Sequence, residues 1–148
     1  MPSAFRARRR IEFYETDMAG IVHFSNFFRF MESTEHAFFR SLGLVLHEND
    51  GQSMSGWARV QAACEYLSPL HYMDEVEIEL EVREKTKSSL SYDFVFRRVA
   101  DRDGPTASEE VARGSLRVVH VAKNGAGRMK ASAMPANVER SIESASRS

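Results

Sequence analysis

The feature that most restricts the fold of this chain is a nearly perfect alternation of apolar and charged side chains between Asp74 and Glu84. The apolar members are Val76, Ile78, Leu80 and Val82, and the residues between and before them are Glu75, Glu77, Glu79 and Glu81. A period of two residues is typical of a strand with one buried face and one face in water. Antiparallel sheets commonly have such a wet face, so we predict a strand over 74–84 in an antiparallel sheet.

Four further segments have the composition or the alternation of strands: 9–15, 57–66, 90–98 and 108–121. In the first of these, Ile11 and Phe13 point to one side. In the last, Gly114 is expected to mark a bulge or a bend. A polar turn at 85–88 predicts a hairpin that brings Arg97 and Arg98 near the glutamates of 74–84.

One segment, from Phe24 to Leu42, has a helical pattern instead. Its apolar side chains recur at three- and four-residue spacing, at positions 27, 30, 31, 34, 37, 38 and 42. Ser25 or Asn26 is expected as the N-cap and Gly43 as the left-handed terminator, so this helix of about five turns should be the only long one. We expect a loop or a short irregular helix at 44–56 and a turn at 101–105.

The order of elements, one strand, one long helix and four more strands, predicts an α+β fold. The chain has 148 residues, and no linker divides it, so we expect a single domain with its core at about 8–135. The serine-rich tail at 139–148 should fray. A five-stranded antiparallel sheet covered by one helix leaves a face or an edge open, and we therefore expect a homo-oligomer.

Composition narrows the function. The 20 Lys and Arg residues oppose 21 Asp and Glu residues, and this net charge of −1 does not suggest binding to nucleic acid or to a membrane surface. No apolar run approaches the roughly 20 residues of a membrane span, and no signal-peptide pattern begins the chain, so a cytoplasmic location is expected. Cys64, the single cysteine, is expected to be a small buried residue. The 5 histidines lack metal-ligand spacing, so we expect no metal site and no cofactor.

The most informative residues for chemistry lie directly before the long helix. Asp17 is a carboxylate on the loop that leads to the helix N-terminus, where unpaired backbone N–H groups can bind a developing oxyanion. An ionised Asp17 could attack a carbonyl or deprotonate a water while the N–H of Phe24 or a neighbour polarises the carbonyl oxygen. The alternative is that Asp17 only caps the loop or the helix.

The segment 10–44 closely resembles the signature of the 4-hydroxybenzoyl-CoA thioesterase family of hotdog-fold acyl-CoA thioesterases. The matching residues are Arg10-Ile11-Glu12-Phe13, Thr16-Asp17, Ala19-Gly20-Ile21-Val22, Phe24, Asn26-Phe27, Arg29 and Leu42-Gly43-Leu44. The likeness continues more loosely through the strand pattern to about Pro135. It implies a hotdog fold, in which a five-stranded antiparallel sheet wraps around one long helix.

The resemblance also implies roles for individual residues. Asp17 takes the position of the family's catalytic carboxylate, as nucleophile or general base on an acyl-CoA thioester, and the Phe24 backbone N–H polarises the carbonyl. Substrate binding is expected of Gly20, Val22 and Asn26, and His23 is a further candidate for substrate binding that does not come from the resemblance. Family members form homodimers, often paired into homotetramers, with sites at the subunit interface, and coenzyme A enters only as part of the substrate.

The sequence departs from the family pattern at one point. Related bacterial thioesterases commonly have Tyr-His after Gly-x-Val, whereas this chain has His23-Phe24, and a one-residue shift turns a helical side chain by about 100°. No family role is therefore transferred to His23, which either lines the acyl pocket, assists water or packs structurally. A second acid from Glu32, Glu35 or Glu65 is a further possibility.

Several alternatives stay open at this level. The acyl donor is coenzyme A or an acyl-carrier protein, and a non-catalytic acyl-thioester binding protein would keep the same pocket. A hotdog dehydratase is disfavoured because no matching histidine-plus-glycine pattern occurs on the helix. The basic run Arg6, Arg8, Arg9 and Arg10 either contacts the phosphates of coenzyme A or forms a solvated strand edge.

Overall fold

A computed structural model describes residues 3–51, 53–99, 109–124 and 127–145. The strands are β1 (Ala4–Arg10), β2 (Glu48–Asn49), β3 (Ser53–Tyr66), β4 (Glu75–Lys85), β5 (Ser89–Val99), β6 (Glu109–Asn124) and β7 (Lys130–Ala131). The helices are α1 (Asn26–Ser41) and α2 (Ala136–Ser141), with a short 3-10 helix at Phe13–Glu15. The predicted turn at 101–105 lies outside the described residues.

All the strands join one antiparallel sheet in the order β1-β4-β5-β6-β3-β2, with β7 added to β6. Helix α1 packs against the inner face of the sheet, on β1, β4 and β3. Its buried side chains are Phe27, Phe30, Met31, Thr34, Glu35, Phe38 and Phe39. This arrangement confirms the predicted hotdog architecture of a sheet around one long helix, although the described residues form a sheet of seven strands rather than five.

The alternating segment behaves as predicted. Val76, Ile78, Leu80 and Val82 are each at most 1% exposed in β4. On the other face, Arg97 of β5 lies 3.0 Å from Glu79 and 3.7 Å from Glu77. Helix α1 likewise occupies the predicted segment, and Gly43 ends it with a positive φ of 72°. Ser25 is the N-cap, but its own side chain makes no capping hydrogen bond.

The first predicted strand was placed too late in the chain. Strand β1 runs over Ala4–Arg10, and the chain then turns into the 3-10 helix, where Phe13 is 74% exposed. Its register explains the difference, because the arginines of one face lie opposite the glutamates of β4, for example Arg8 opposite Glu77. Cross-strand charge pairing therefore specifies this strand, and it has no hydrophobic alternation to detect.

The first residues of the predicted tail pack on the sheet. Ile142 is fully buried, and the Ala145 N–H donates to the Val82 carbonyl at 2.7 Å. Residues 146–148 lie outside the described residues, and fraying of the tail stays a prediction. Gly114 is not at a bulge, since the register shifts fall near Arg59 and Phe96. A Cβ at Gly114 would lie 2.9 Å from the sulfur of Met31, so this glycine lets α1 approach β6 closely.

Candidate active site

The loop before α1 is a tight hairpin closed by its own backbone. The Asp17 N–H donates to the Ile21 carbonyl at 2.8 Å, and the Gly20 N–H donates to the Asp17 carbonyl at 3.0 Å. Gly20 has a φ of +82°, a conformation that a residue with a side chain rarely adopts. At the far end of the loop, the Val22 N–H donates to the Leu70 carbonyl at 2.8 Å, which fixes the loop to the segment after β3.

The Asp17 carboxylate is held by one of its two oxygens. Oδ1 accepts hydrogen bonds from the N–H groups of Ala19 at 2.8 Å and Ile21 at 3.4 Å. Oδ2 has no hydrogen-bond partner among the residues that the structure describes. The loop-capping alternative is therefore correct for one oxygen, while the other remains available for chemistry.

The start of α1 supplies one free amide. The His23 carbonyl accepts from the Asn26 N–H at 2.9 Å, and the His23 N–H donates to the Glu15 carbonyl at 2.9 Å. The Ser25 N–H donates to Nδ1 of His23 at 3.2 Å. Between them, the Phe24 N–H finds no acceptor in the described part of the chain. An unpaired N–H at a helix N-terminus is a suitable donor to an oxyanion.

Asp17 and Phe24 line the same cavity, which has a volume of about 450 Å³. Its other lining residues are Ile21, Val22, Phe27 and the run Tyr66-Leu67-Ser68-Pro69-Leu70. The aromatic walls are Phe24, which is 62% exposed, and Phe27, whose ring is edge-on to that of Tyr66 at 5.2 Å. The residues that carry the unpartnered carboxylate oxygen and the unpartnered amide thus both line one open, mostly apolar cavity, and acyl transfer uses these two kinds of group.

Of the four residues predicted to bind substrate, only some line this cavity. Val22 lines the cavity, and Gly20 lies beside Asp17 in a neighbouring concavity. His23 does not line the cavity; its Nδ1 lies 2.8 Å from the Ser25 hydroxyl, and its ring stacks on Phe24 with centroids 4.6 Å apart. The side-chain amide of Asn26 donates to the Glu15 carbonyl at 2.8 Å. Substrate contacts by these four residues stay predictions.

Sequence reasoning missed the wall formed by residues 66–70. Tyr66 ends β3, and its hydroxyl donates to the Phe24 carbonyl at 3.0 Å, a contact between residues 42 positions apart. Pro69 interrupts the strand pattern and was the one signal of a loop here. Nothing in the sequence indicates that this loop lies against the start of α1, because sheet pairing brings them together.

None of the three additional acids lines the cavity. Glu35 is fully buried in the middle of α1, and its Oε1 lies 2.5 Å from Arg59 of β3. Burial raises the pKa of Glu35 above its ordinary value of 4.5, and the Arg59 charge opposes that shift. Glu32 also pairs with Arg59, at 3.4 Å, and Glu65 lies on β3 opposite Arg113. The contacts of Glu32 and Glu35 with Arg59 indicate structural ion pairs.

The basic run of β1 is neutralised by acids. The pairs are Arg6 with Glu79 at 3.0 Å, Arg8 with Glu77 at 3.3 Å, Arg9 with Glu15, and Arg10 with Glu75 at 3.8 Å. This pairing favours the strand-edge interpretation over phosphate binding. Cys64 is half-buried rather than buried, and burial raises the pKa of its thiol.

The described residues also bear on two other classes of function. These residues contain no group of three His, Cys, Asp or Glu side chains placed to hold a metal ion. Within 3–51, 53–99, 109–124 and 127–145, no helix has both the length and the apolar character needed to cross a membrane.

The fold and this site together define a hotdog-fold thioesterase. The chain is similar in structure to the crystal structure of a 1,4-dihydroxy-2-naphthoyl-CoA thioesterase from Synechocystis, with a TM-score of 0.79 and 18% sequence identity. The match covers 93% of this chain and 94% of that one. The 4-hydroxybenzoyl-CoA thioesterase from Pseudomonas sp. strain CBS-3 matches with a TM-score of 0.75 and 22% identity, over 93% of this chain and 99% of its own.

Sequence comparison adds the family. The chain belongs to the thioesterase-like superfamily, whose profile matches residues 11–142. A 1,4-dihydroxy-2-naphthoyl-CoA hydrolase from Prochlorococcus marinus (strain NATL2A) is 30% identical over 112 residues, which are 71% of this chain and 72% of that protein. The resemblance seen in residues 10–44 is confirmed, and the protein is a hydrolase of thioester bonds.

Proposed function

We propose that this protein hydrolyses an acyl-CoA thioester to a free acid and coenzyme A, with Asp17 and the Phe24 backbone N–H as its catalytic groups. The observation that carries this proposal is the cavity shared by these two residues. On that cavity, Asp17 has one oxygen held by loop amides and one without a partner among the described residues. The carboxylate is therefore both oriented and free to react.

Two routes use the same groups. In the nucleophilic route, Oδ2 of Asp17 attacks the thioester carbonyl carbon, the C–S bond breaks, and water then hydrolyses the mixed anhydride. In the general-base route, Oδ2 takes a proton from a water molecule while the oxygen of that water attacks the carbonyl carbon. In both, the Phe24 N–H donates to the carbonyl oxygen as it gains negative charge. The leaving thiol has a pKa of about 8.5 and departs as a thiolate, so a strong general acid is unnecessary.

An aromatic acyl group fits the cavity walls best. Phe24, Phe27 and Tyr66 present aromatic rings in edge-on arrangements, and such walls favour a flat aromatic ligand over a flexible chain. The named relatives from Synechocystis and Pseudomonas are thioesterases of aromatic acyl-CoA compounds. We therefore include aryl-CoA esters as the expected substrates. No feature of the described residues favours an acyl-carrier protein as the donor, and that alternative becomes an arm of the test.

A homodimer through β3 is part of this proposal. Strand β2 pairs only with Met54 and Ser55, so the outer edge of β3 has no partner strand from Gly56 to Tyr66 within the described chain. Every residue from Ala58 to Ala63 is exposed. An open edge of this length is a template for pairing with a second copy. Light scattering should give twice the 16.8 kDa chain mass, with pairing into tetramers as the further expectation.

Substituting the β3 edge tests the dimer. Ala62→Lys places a charge at the centre of the open edge and should shift the mass toward the monomer. Ala131→Lys, at an exposed position of β7, is the matched control and should leave the mass unchanged. A wild-type protein with the mass of one chain at micromolar concentration would contradict the dimer.

Asp17→Asn tests the chemistry without disturbing the loop. An amide oxygen can still accept from the Ala19 and Ile21 N–H groups, so the loop keeps its cap while the charge and the nucleophile are lost. We expect kcat for thiol release from aryl-CoA esters to fall by on the order of a hundredfold or more, with an unchanged melting temperature. The panel should include short-chain and long-chain acyl-CoAs and an acylated carrier protein.

The control is Asp93→Asn, which removes an exposed carboxylate 3.6 Å from Arg83 and should retain full activity. Equal rates in wild type and Asp17→Asn would refute the assignment of Asp17. Hydrolysis of the acylated carrier protein alone would move the donor from coenzyme A to that partner. Tight binding of one CoA ester without turnover would instead support a binding protein.

A further inference from the structure

Two side chains outside the reacting pair hold the peptide next to the Phe24 amide. The peptide that joins Phe24 to Ser25 has a carbonyl oxygen and an N–H group, and both are bonded to side chains. The Tyr66 hydroxyl donates to the carbonyl at 3.0 Å. Nδ1 of His23 accepts from the Ser25 N–H at 3.2 Å. The plane of this peptide is therefore fixed from β3 on one side and from the loop on the other.

The neighbouring peptide, between His23 and Phe24, carries the amide assigned to the oxyanion. Its carbonyl accepts from the Asn26 N–H at 2.9 Å, while its own N–H has no acceptor among the described residues. The two peptides share the Cα of Phe24, and only the dihedrals φ and ψ of Phe24 set their relative orientation. Fixing the Phe24–Ser25 peptide therefore fixes one end of the His23–Phe24 peptide, and the bond from the Asn26 N–H to the His23 carbonyl restrains the rotation that remains.

Helix geometry alone would leave this peptide loosely held. The Phe24 carbonyl accepts from the Phe27 N–H only at 3.4 Å, and the N-cap Ser25 makes no capping bond with its side chain. The Tyr66 hydroxyl gives the shorter bond, and its ring packs edge-on against both Phe24 and Phe27. Burial raises the pKa of Tyr66 above its ordinary value of 10.0, with Cys64 adding to the shift, so the hydroxyl keeps its proton at neutral pH.

We propose that Tyr66, with His23, is a positioning residue for thioester hydrolysis that aims the Phe24 N–H at the substrate carbonyl by clamping the Phe24–Ser25 peptide. This inference rests on the proposed function. The clamp should stabilise the transition state more than the bound ester, because a misdirected amide weakens the hydrogen bond to the developing oxyanion more than it weakens substrate binding. The clamp should therefore act on kcat and leave KM nearly unchanged.

Tyr66→Phe is the direct test, because it keeps the ring in the cavity wall and removes only the hydroxyl. We expect kcat to fall about tenfold with KM within about twofold of the wild-type value. Tyr14→Phe removes the hydroxyl of a tyrosine that is 81% exposed and should change neither constant. Wild-type kcat in Tyr66→Phe would overturn the proposal.

His23 has its own pair of variants. His23→Asn keeps an acceptor near the position of Nδ1, whereas His23→Ala removes it. We expect kcat to fall about tenfold in the alanine variant and to stay within about threefold of wild type in the asparagine variant. A loss of equal size in both would indicate that His23 acts through Nε2 rather than through the clamp, and would overturn its part in the proposal.

A spectroscopic measurement distinguishes a misdirected Phe24 N–H from a general loss of folding in Tyr66→Phe. In the Asp17→Asn background, which should bind an aryl-CoA ester without turnover, the infrared frequency of the bound thioester carbonyl reports its polarisation. Adding Tyr66→Phe should move that frequency toward the value of the free ester. An unchanged frequency would contradict the clamp even if turnover fell.

Hydrogen–deuterium exchange tests the clamp without any substrate. Exchange at the Ser25 amide, which belongs to the clamped peptide, should rise in Tyr66→Phe and not in Tyr14→Phe. If the wild type hydrolyses no CoA ester, the proposed function fails, while this exchange measurement still decides whether Tyr66 restrains the peptide. Unchanged exchange in Tyr66→Phe refutes the clamp whatever the activity.

Discussion

The start and the middle of α1 place carboxylates in opposite surroundings. At the start, the Phe24 N–H and one oxygen of Asp17 lack partners among the described residues, and both residues line an open cavity. In the middle, one oxygen of the fully buried Glu35 is bonded to Arg59 from β3, and the other is buried with no hydrogen-bond partner among the described residues. The comparison teaches that an unpartnered carboxylate oxygen is useful for chemistry only where substrate can reach it.

Exposed apolar side chains sharpen the contrast. Several large ones lie at the start of the helix or on the loops beside it: Phe13, Met18, Phe24, Tyr66, Leu67 and Tyr72. The middle of α1 instead buries its apolar side chains against the sheet, for example Phe30 and Met31. A concentration of exposed apolar surface around a reactive group marks a place that substrate or a partner subunit covers.

Breaking the buried pair should have the largest effect on stability. Arg59→Met leaves the Glu35 carboxylate buried without its cation, and we expect a loss of about 3 kcal/mol in the free energy of unfolding at pH 7. The kcat per folded molecule should change little, because neither residue lines the cavity. Urea unfolding and thiol-release assays on the same samples measure both quantities.

The sign of the pH dependence follows from the raised pKa of Glu35. A carboxyl whose pKa is higher in the folded state than its ordinary 4.5 binds its proton more tightly when folded, so its contribution favours folding below pH 4.5. That contribution is lost as the pH rises through the raised value. The defect of Arg59→Met should therefore shrink as the pH falls. Glu35→Leu added to Arg59→Met should restore stability at pH 7, and a double variant as unstable as the single one would contradict this account.

Packing in the middle of the helix gives a smaller effect. Gly114→Ala places a Cβ 2.9 Å from the sulfur of Met31 and closer still to its terminal methyl, so the buried methionine must move. We expect a loss of about 1 kcal/mol in thermal or urea unfolding, again with kcat unchanged. The double variant with Met31→Val, which removes the clashing atoms, should lose less than the sum of the two single changes.

The smallest effect is expected where an ion pair is exposed. Arg6 lies 3.0 Å from Glu79, but its side chain is 63% exposed. Arg6→Gln should change the free energy of unfolding by less than about 0.5 kcal/mol, and added salt should reduce even that difference. A loss near that of Arg59→Met would show that burial is not what separates these two pairs.

Much of the fold could be predicted from local patterns. The alternation in 74–84 predicts a strand, and the spacing of apolar residues in 24–42 predicts a helix. In both segments the local pattern also predicts which face is buried. Strand β1 could not be found this way, because its inner face offers only Phe5, Ala7 and Arg9 and its partner is distant in sequence. Helix α2 was missed because it buries only Val138, and Ile142 follows its end. Both are core residues only because this segment docks on the sheet.

The candidate site also has parts that the local sequence predicts and parts that depend on long-range contacts. The sequence by itself determined the two groups that local geometry controls, Asp17 on its glycine-containing loop and the amide at the start of the helix, since both depend on neighbours within a few residues. Only the tertiary structure decided that Tyr66 reaches Phe24 and that Glu35 is paired with Arg59. Those contacts join residues far apart in the chain, and they depend on how β3 lies against α1 in the folded protein, which no local pattern specifies.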